Sequence, residues 1–135
     1  LASVGRPLDQ PALEHMHALK TGALLRAAVS MGGLCGPIDA EVARALTTYG
    51  QRVGLAFQVV DDVLDVLSDT ATLGKTAGKD AAANKPTFVS LLGLDPAKRY
   101  ADRLIAEALG ALDAAGLAEA HALRALAMHV VARTH

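Results

Sequence analysis

Hydrophobic residues recur every three or four positions along most of the chain, which is the spacing of one face of an α-helix. The spacing predicts a first helix that is capped by Asp9, carries Pro11 in its first turn and ends at Gly32-Gly33. Its periodic positions are Leu13, Met16, His17, Lys20, Thr21, Leu24, Ala27, Ala28 and Met31. No stretch alternates with a period of two, so the pattern predicts an all-α protein.

A second helix is predicted from an Asp39 cap, with Glu41 as first-turn negative charge, to about Ser68. It would be about 30 residues long, near the upper end for globular domains. Because it is apolar nearly all round, it should lie at the centre of the fold. Its periodic positions are Val42, Leu46, Tyr49, Val53, Phe57, Val60, Leu64 and Leu67.

The remaining chain is predicted to hold a loop and three further helices. Residues 69–86 are rich in glycine, threonine and lysine and are expected to form a loop, with a helical turn at 81–83. Helices follow at 87–92, 95–115 and 118–132. Their inward positions are Tyr100, Leu104, Ala108 and Leu112 in the second, and Leu123, Leu126, Val130 and Val131 in the third.

Composition narrows the class of protein. The 135 residues suit one domain or half of a larger one, and the net charge of −1 gives no basic footprint for nucleic acid. The one cysteine, Cys35, excludes an internal disulfide and fits a reducing compartment. No apolar run reaches membrane-spanning length, so a soluble protein is expected. The start at Leu1, without Met or a signal-peptide pattern, suggests a piece of a longer chain.

Three carboxylates interrupt the apolar run of the second helix at Asp61, Asp62 and Asp65. Residues three and four apart share a helix face, so Gln58, Asp61 and Asp65 should line one side, with Asp62 about 100° around. Acids packed this closely repel one another, and Mg²⁺ neutralises such a set while sharing its shell with phosphate oxygens. A solvent-facing acidic stripe is the alternative interpretation.

Two lysine-bearing segments are the other candidates. In Lys20-Thr21-Gly22 the glycine costs roughly 1 kcal/mol of helix stability relative to alanine. The segment is either a cavity wall where Lys20 meets an anion, or a kink with an exposed lysine. In the loop, Gly74-Lys75-Thr76 ends like a P-loop, but position 69 is Asp and no strand precedes it. That loop is either a cationic cover over phosphates or a solvated charged loop.

Together these segments resemble the C-terminal half of the trans-isoprenyl diphosphate synthases (polyprenyl synthetases), specifically the bacterial farnesyl diphosphate synthase type. The matching stretches are Lys20-Thr21-Gly22, 57–65, 69–75, Lys79-Asp80 and 85–94. The resemblance implies an all-α helical bundle around a deep central cavity. It places residues 1–135 in the C-terminal half of one domain, with the first aspartate-rich motif in an absent N-terminal half. The isolated chain is therefore expected to be inactive.

The resemblance also implies the reaction. An allylic diphosphate (dimethylallyl or geranyl) would ionise to a carbocation and condense with isopentenyl diphosphate to give farnesyl diphosphate. Mg²⁺ would assist, with Mn²⁺ as a possible substitute, and the full-length enzyme would be a cytoplasmic homodimer. The alternatives are a geranylgeranyl or other short-chain synthase, a non-catalytic prenyl-synthase-like subunit, and a terpene cyclase.

Eight site residues are implied by matching position, of which Lys20, Thr21, Gln58 and Lys75 are the catalytic ones. They are the metal ligands Asp61, Asp62 and Asp65, the allylic-diphosphate lysines Lys20, Lys75 and Lys79, and the cation-facing oxygens of Thr21 and Gln58. Asp61 would hold the third Mg²⁺, with the other two carboxylates supporting it directly or through water. Two features depart from the family: Phe88 replaces a frequent Tyr, and only residues 133–135 represent its basic tail.

Overall fold

The computed structural model describes residues 8–71, 86–117 and 119–135. The predictions for Lys75, Lys79 and the helical turn at 81–83 lie outside the described residues. Within them, all regular secondary structure is helical, so the all-α prediction is confirmed. The elements are α1 (Gln10–His17), a π-helical segment (Ala18–Gly22), α2 (Ala23–Leu34), α3 (Ala40–Ala71), α4 (Phe88–Leu92), α5 (Leu94–Ala114) and α6 (His121–Ala132).

The 32-residue helix α3 is the centre of the fold, as its apolar surface predicted. Asp39 caps it, because the Val42 N–H donates to the Asp39 carboxylate at 2.8 Å. Each of the other helices that the structure describes packs against α3, and α5 has the most extensive contact with it. The Tyr49 hydroxyl, buried with its ring, donates to the Leu123 carbonyl at 2.7 Å and so ties α6 to the core.

The N-terminal helix differs from its prediction at the π-helical segment. The Asp9 cap is confirmed, since the Ala12 N–H donates to its carboxylate at 3.0 Å. A π turn takes more residues than an α turn, so every later side chain is rotated relative to the expected face. Leu24 and Met31 are therefore 71% and 62% exposed. The helix also continues to Leu34, so the predicted stop at Gly32-Gly33 is wrong.

Local capping fixes the short helix α4. The Ser90 N–H donates to the Thr87 hydroxyl at 3.0 Å, and the Ser90 hydroxyl accepts from the Thr87 N–H at 2.9 Å. This reciprocal pair is a capping box, which satisfies two backbone donors at the helix start. Gly93, at φ +92°, then ends the helix in a conformation that side chains rarely adopt.

The two C-terminal helices follow the predicted faces with one exception. The four inward positions predicted on α5 are all buried. On α6, Leu126 is 51% exposed, so its inward assignment is wrong. The buried row passes instead through Ala127, Val130 and Val131, so the alanine next to Leu126 is the residue that faces the core. Among the described residues, no helix is both long and apolar enough to cross a membrane.

Candidate functional site

The acidic face of α3 is the first component of the site. Asp61 and Asp65 lie one turn apart on the same side of the helix, and both side chains reach solvent. The Arg133 Nη1 donates to the Asp61 Oδ1 at 3.3 Å, and its guanidinium lies 5.4 Å from the Phe57 ring centroid. The positively charged side chain of Arg133, just after α6, therefore contacts Asp61, the carboxylate that the family resemblance implies as the ligand of the third Mg²⁺.

Asp62 has a separate role at the start of α4. Its Oδ2 accepts a hydrogen bond from the Phe88 N–H at 2.9 Å, across 26 positions of sequence. The first N–H groups of a helix have no partner within the helix, and negative charge is favoured at that end. One oxygen of Asp62 thus positions α4 against α3. Its support of a metal ion stays a prediction.

Backbones approach closely where the π-helical segment and α2 cross α3. A Cβ atom added at Gly54 would lie 3.2 Å from the Gly22 Cα, and one added at Gly50 would lie 3.1 Å from the Arg26 Cα. Side chains at these α3 positions would force the two helices apart. The glycine that the sequence analysis singled out as unfavourable, Gly22, is buried in this contact.

The glycines at the helix crossing and the carboxylates of the acidic face lie in one row along the same side of α3. Positions 50, 54, 61 and 65 repeat near whole turns of an α-helix, so Gly50, Gly54, Asp61 and Asp65 share a side. The α2 region covers the first half of the row, and the carboxylates occupy the second half. Gly54 and Asp61 are seven residues apart, about 10 Å along the axis. The segment that carries Thr21 therefore borders the acidic half.

Other predicted residues lie close to this boundary. Lys20 is exposed, and Thr21 and Gln58 are half-buried. Gln58 is one turn beyond Gly54 and one turn before Asp62, so it lies beside the acidic row. The π-helical segment that carries Lys20 and Thr21 contacts α3, the helix that also carries Gln58 and the carboxylates.

His17, the last residue of α1, packs against the core directly before the π-helical segment. Its ring stacks on Phe88 with centroids 5.4 Å apart, and Phe88 in turn contacts Tyr100 at 5.9 Å. Burial lowers the pKa of His17, and the positive charge of Lys20 lowers that pKa further. Both ring nitrogens are buried and have no hydrogen-bond partner among the described residues. His17 is therefore a packed side chain whose pKa is lowered by its burial.

Replacing His17 with phenylalanine is expected to flatten the pH dependence of stability. A histidine whose pKa is lowered on folding contributes stability above its unfolded pKa of about 6.5, and that contribution is lost as the pH falls. Urea unfolding at pH 5, 6 and 7 should show a smaller loss of unfolding free energy in H17F than in the wild type. The control is H129Q, because His129 is exposed on α6. Equal pH dependence in H17F and wild type would contradict the assignment.

A separate groove of about 340 Å³ opens between the N-terminal helices and α3. It is bordered by Glu14, Gly22, Arg26 and Arg52 among others, and none of the predicted site residues that the structure describes lines it. The Arg52 Nε is 2.8 Å from Glu107 of α5, and Glu14 accepts from the Tyr100 hydroxyl. Arg52 and Glu14 therefore already have partners within the chain.

A family model described as polyprenyl synthetase matches residues 6–125. The chain belongs to the polyprenyl synthetase family. It is 50% identical over 112 residues to a probable farnesyl diphosphate synthase of Sinorhizobium fredii, covering 80% of this chain and 34% of that protein. It is also 50% identical over 96 residues to geranylgeranyl pyrophosphate synthase 10 of Arabidopsis thaliana, covering 71% and 28%.

Solved structures of family members have the same fold. The geranyltransferase of Helicobacter pylori, in a structure described as complexed with magnesium and isoprenyl diphosphate, matches with a TM-score of 0.71 and 37% identity. The match covers 98% of this chain and 43% of that one. The chain thus spans about a third of the length of the two curated relatives named above.

The donor chemistry of α3 suits a hard cation in a member of this family. Among the residues that the structure describes, no three His, Cys, Asp or Glu side chains converge on one point. Mg²⁺ needs fewer protein ligands, because it binds through one or two carboxylates and completes its shell with water and phosphate oxygens. Asp61 and Asp65, one turn apart and reaching solvent, fit that requirement. Arg133 shows that a positive charge is accommodated there.

Arg133 is the site residue that sequence reasoning missed. It was noted only as part of a shortened basic tail. Its partner Asp61 is 72 positions away, so helical periodicity carries no signal for the contact. Knowledge of how the end of α6 packs across α3 is needed to find it.

Proposed function

We propose that the protein containing this chain is a Mg²⁺-dependent prenyltransferase that condenses an allylic diphosphate with isopentenyl diphosphate to form farnesyl diphosphate. The observation that carries the proposal is the row of α3, whose one half is covered by the Lys20-Thr21-Gly22 region and whose other half presents Asp61 and Asp65. Family membership supports it. In this proposal the chain supplies the C-terminal half of the synthase domain.

The difficult step is departure of the diphosphate, because negative charge develops on its oxygens as the carbocation forms. Mg²⁺, when bound, neutralises that charge. Asp61 and Asp65 would hold the ion, and Asp62 would hold α4 beside them, with any contact of its own to the metal direct or through water. Lys20, with the predicted Lys75 and Lys79, would place ammonium groups near the diphosphate. Fixed positive groups aimed at developing negative charge lower the barrier without reorganising during the reaction.

Thr21 and Gln58 would act on the opposite charge. Each carries a side-chain oxygen with two lone pairs, which can face a developing carbocation. Both are half-buried beside the row, so their dipoles are less screened than those of exposed groups. Neither residue can accept the substrate proton at neutral pH, so the departing diphosphate is the proposed base.

Assembly and location complete the proposal. We propose a cytoplasmic homodimer, in which Mn²⁺ could replace Mg²⁺ because both prefer oxygen ligands. The outer face of α2 carries Leu24, Met31 and Leu34, each more than half exposed. An apolar helix face of this kind would be covered by other parts of the assembled enzyme.

A product assay tests the proposal. The intact protein is incubated with isopentenyl diphosphate and either dimethylallyl or geranyl diphosphate, and the dephosphorylated products are separated by chromatography. We expect a C15 product that disappears when EDTA removes divalent cations. A C20 product would instead support the geranylgeranyl alternative, which the Arabidopsis relative favours. Cyclic hydrocarbons without consumption of isopentenyl diphosphate would indicate a terpene cyclase. No turnover would indicate a non-catalytic subunit and overturn the proposal.

A further inference from the structure

The end of α6 is held in a defined position beside the acidic half of the row. The Thr134 hydroxyl, in a buried residue, donates to the Val131 carbonyl at 3.1 Å. The His135 Nε2 lies 3.2 Å from the Asp102 Oδ1 of α5. These contacts fix the turn in which Arg133 lies, so its side chain is directed toward α3 by ordered backbone.

Arg133 spans one turn of α3. Its guanidinium is in contact with Asp61 through a hydrogen bond of 3.3 Å and lies 5.4 Å from the Phe57 ring centroid. Phe57 and Asp61 are four residues apart and therefore neighbours on the helix surface. The aromatic face attracts the cation while the carboxylate pairs with it. The side chains of Arg133 and Asp61 are only 35% and 40% exposed, so solvent screens the pair incompletely.

A divalent cation at Asp61 would compete with this arginine. Both need the same carboxylate oxygens, and two positive groups within a few ångströms repel each other. We propose that Arg133 is a resident counter-cation of Asp61, which a divalent metal displaces on binding. The inference rests on the metal role of Asp61 in the proposed function. Its consequence is that metal affinity is set partly by the end of α6.

Metal binding without substrate tests this displacement. Mn²⁺ is titrated into the intact protein at low ionic strength, and bound ion is measured by electron paramagnetic resonance. Exposed and partly exposed ion pairs are weak, so R133Q is expected to tighten Mn²⁺ binding about two- to five-fold. The difference should shrink at high salt, because screening weakens the pair that the metal must break.

A matched control uses another arginine that contacts an aromatic ring. Arg103 on α5 has its guanidinium carbon 5.0 Å from the Tyr100 ring centroid and is exposed. R103Q removes the same charge and a similar cation–π contact, without touching Asp61. It should leave the Mn²⁺ affinity within error of wild type. Unchanged circular dichroism in both variants excludes unfolding as the cause.

Measuring R133Q with and without D61N separates the metal role of Asp61 from the displacement of Arg133. D61N should weaken Mn²⁺ binding, and R133Q should then add nothing in the double variant. If D61N leaves Mn²⁺ binding unchanged, the metal role of Asp61 fails. If D61N weakens binding but R133Q leaves it unchanged or weakens it, the displacement is wrong and the metal role stands. A similar tightening by R133Q with or without D61N would also overturn the displacement, because the arginine would then act through bulk charge.

Discussion

Replacing Asp61 with asparagine is expected to lower prenyltransferase turnover by at least about 100-fold, the usual cost of losing one preorganised charge-stabilising group at a reaction centre. Asparagine keeps the shape of the side chain but removes the negative charge that would hold Mg²⁺. The fold should be unaffected, because the lost ion pair with Arg133 is partly exposed and such pairs contribute about 1 kcal/mol or less.

Steady-state rates of the intact protein at saturating Mg²⁺ measure this effect, with circular dichroism to confirm unchanged helix content. The matched control is D113N, because Asp113 is an exposed aspartate at the far end of α5 that pairs with Arg124. It should retain the wild-type rate. A near-wild-type rate for D61N would reject the metal role of this carboxylate.

Replacing Gly54 with leucine is expected to destabilise the protein by about 1–3 kcal/mol, the typical cost of forcing extra atoms into packed structure. The first added atom would lie 3.2 Å from the Gly22 Cα and 3.3 Å from the Leu25 Cδ1. The first of these neighbours is backbone, so relief requires that the helices separate. Activity should fall as well, since the separation moves Lys20-Thr21-Gly22 away from the acidic row.

Urea unfolding of wild type and variant measures the change in unfolding free energy. Gly110→Leu is the matched control, since an added Cβ at this α5 position would meet no described atom within 4 Å beyond the local backbone of its own helix. It should stabilise by up to about 1 kcal/mol, because glycine is a poor helix former. Equal effects at the two positions would show that the close crossing is not a constraint.

Local signals in the sequence accounted for most of the fold. The length and central position of α3, the caps at Asp9 and Asp39, and the end of the short helix predicted at 87–92 all depend on residues close in sequence. Such signals act before tertiary packing, so a reader of the sequence can find them. The same holds for the shared face of Asp61 and Asp65, which follows from helix geometry.

The errors arose where tertiary contacts override local pattern. The π-helical segment at Ala18–Gly22 faces α3 at a point where Gly54 lets the backbones approach. Gly22 marked a possible kink there, but the local pattern does not specify a π turn or the resulting rotation of later side chains. Leu126 was predicted to face inward, but the packing row of α6 passes through its smaller neighbour Ala127. Side-chain hydrophobicity alone cannot choose between adjacent positions.

The residue types of the candidate site could be predicted from the sequence, but the residues that contact them could not. The carboxylates and Lys20 were found from their unfavourable placement in apolar helices. The contacts from Asp61 to Arg133 and from Asp62 to Phe88 join positions 72 and 26 residues apart, and only the folded chain reveals them. Lys75 and Lys79 stay predictions.

The bond between Asp62 and Phe88 affects how mutagenesis of this acidic pair should be interpreted. The two adjacent aspartates differ in role. Asp61 is proposed to bind the metal, whereas Asp62 holds the start of α4 through its hydrogen bond with the Phe88 N–H. A lower rate in a variant at position 62 would not by itself show that a metal ligand is lost. A displaced α4 would also disturb His17, because Phe88 stacks on its ring. Kinetic deficits at neighbouring acids therefore need a structural readout before they are assigned to metal.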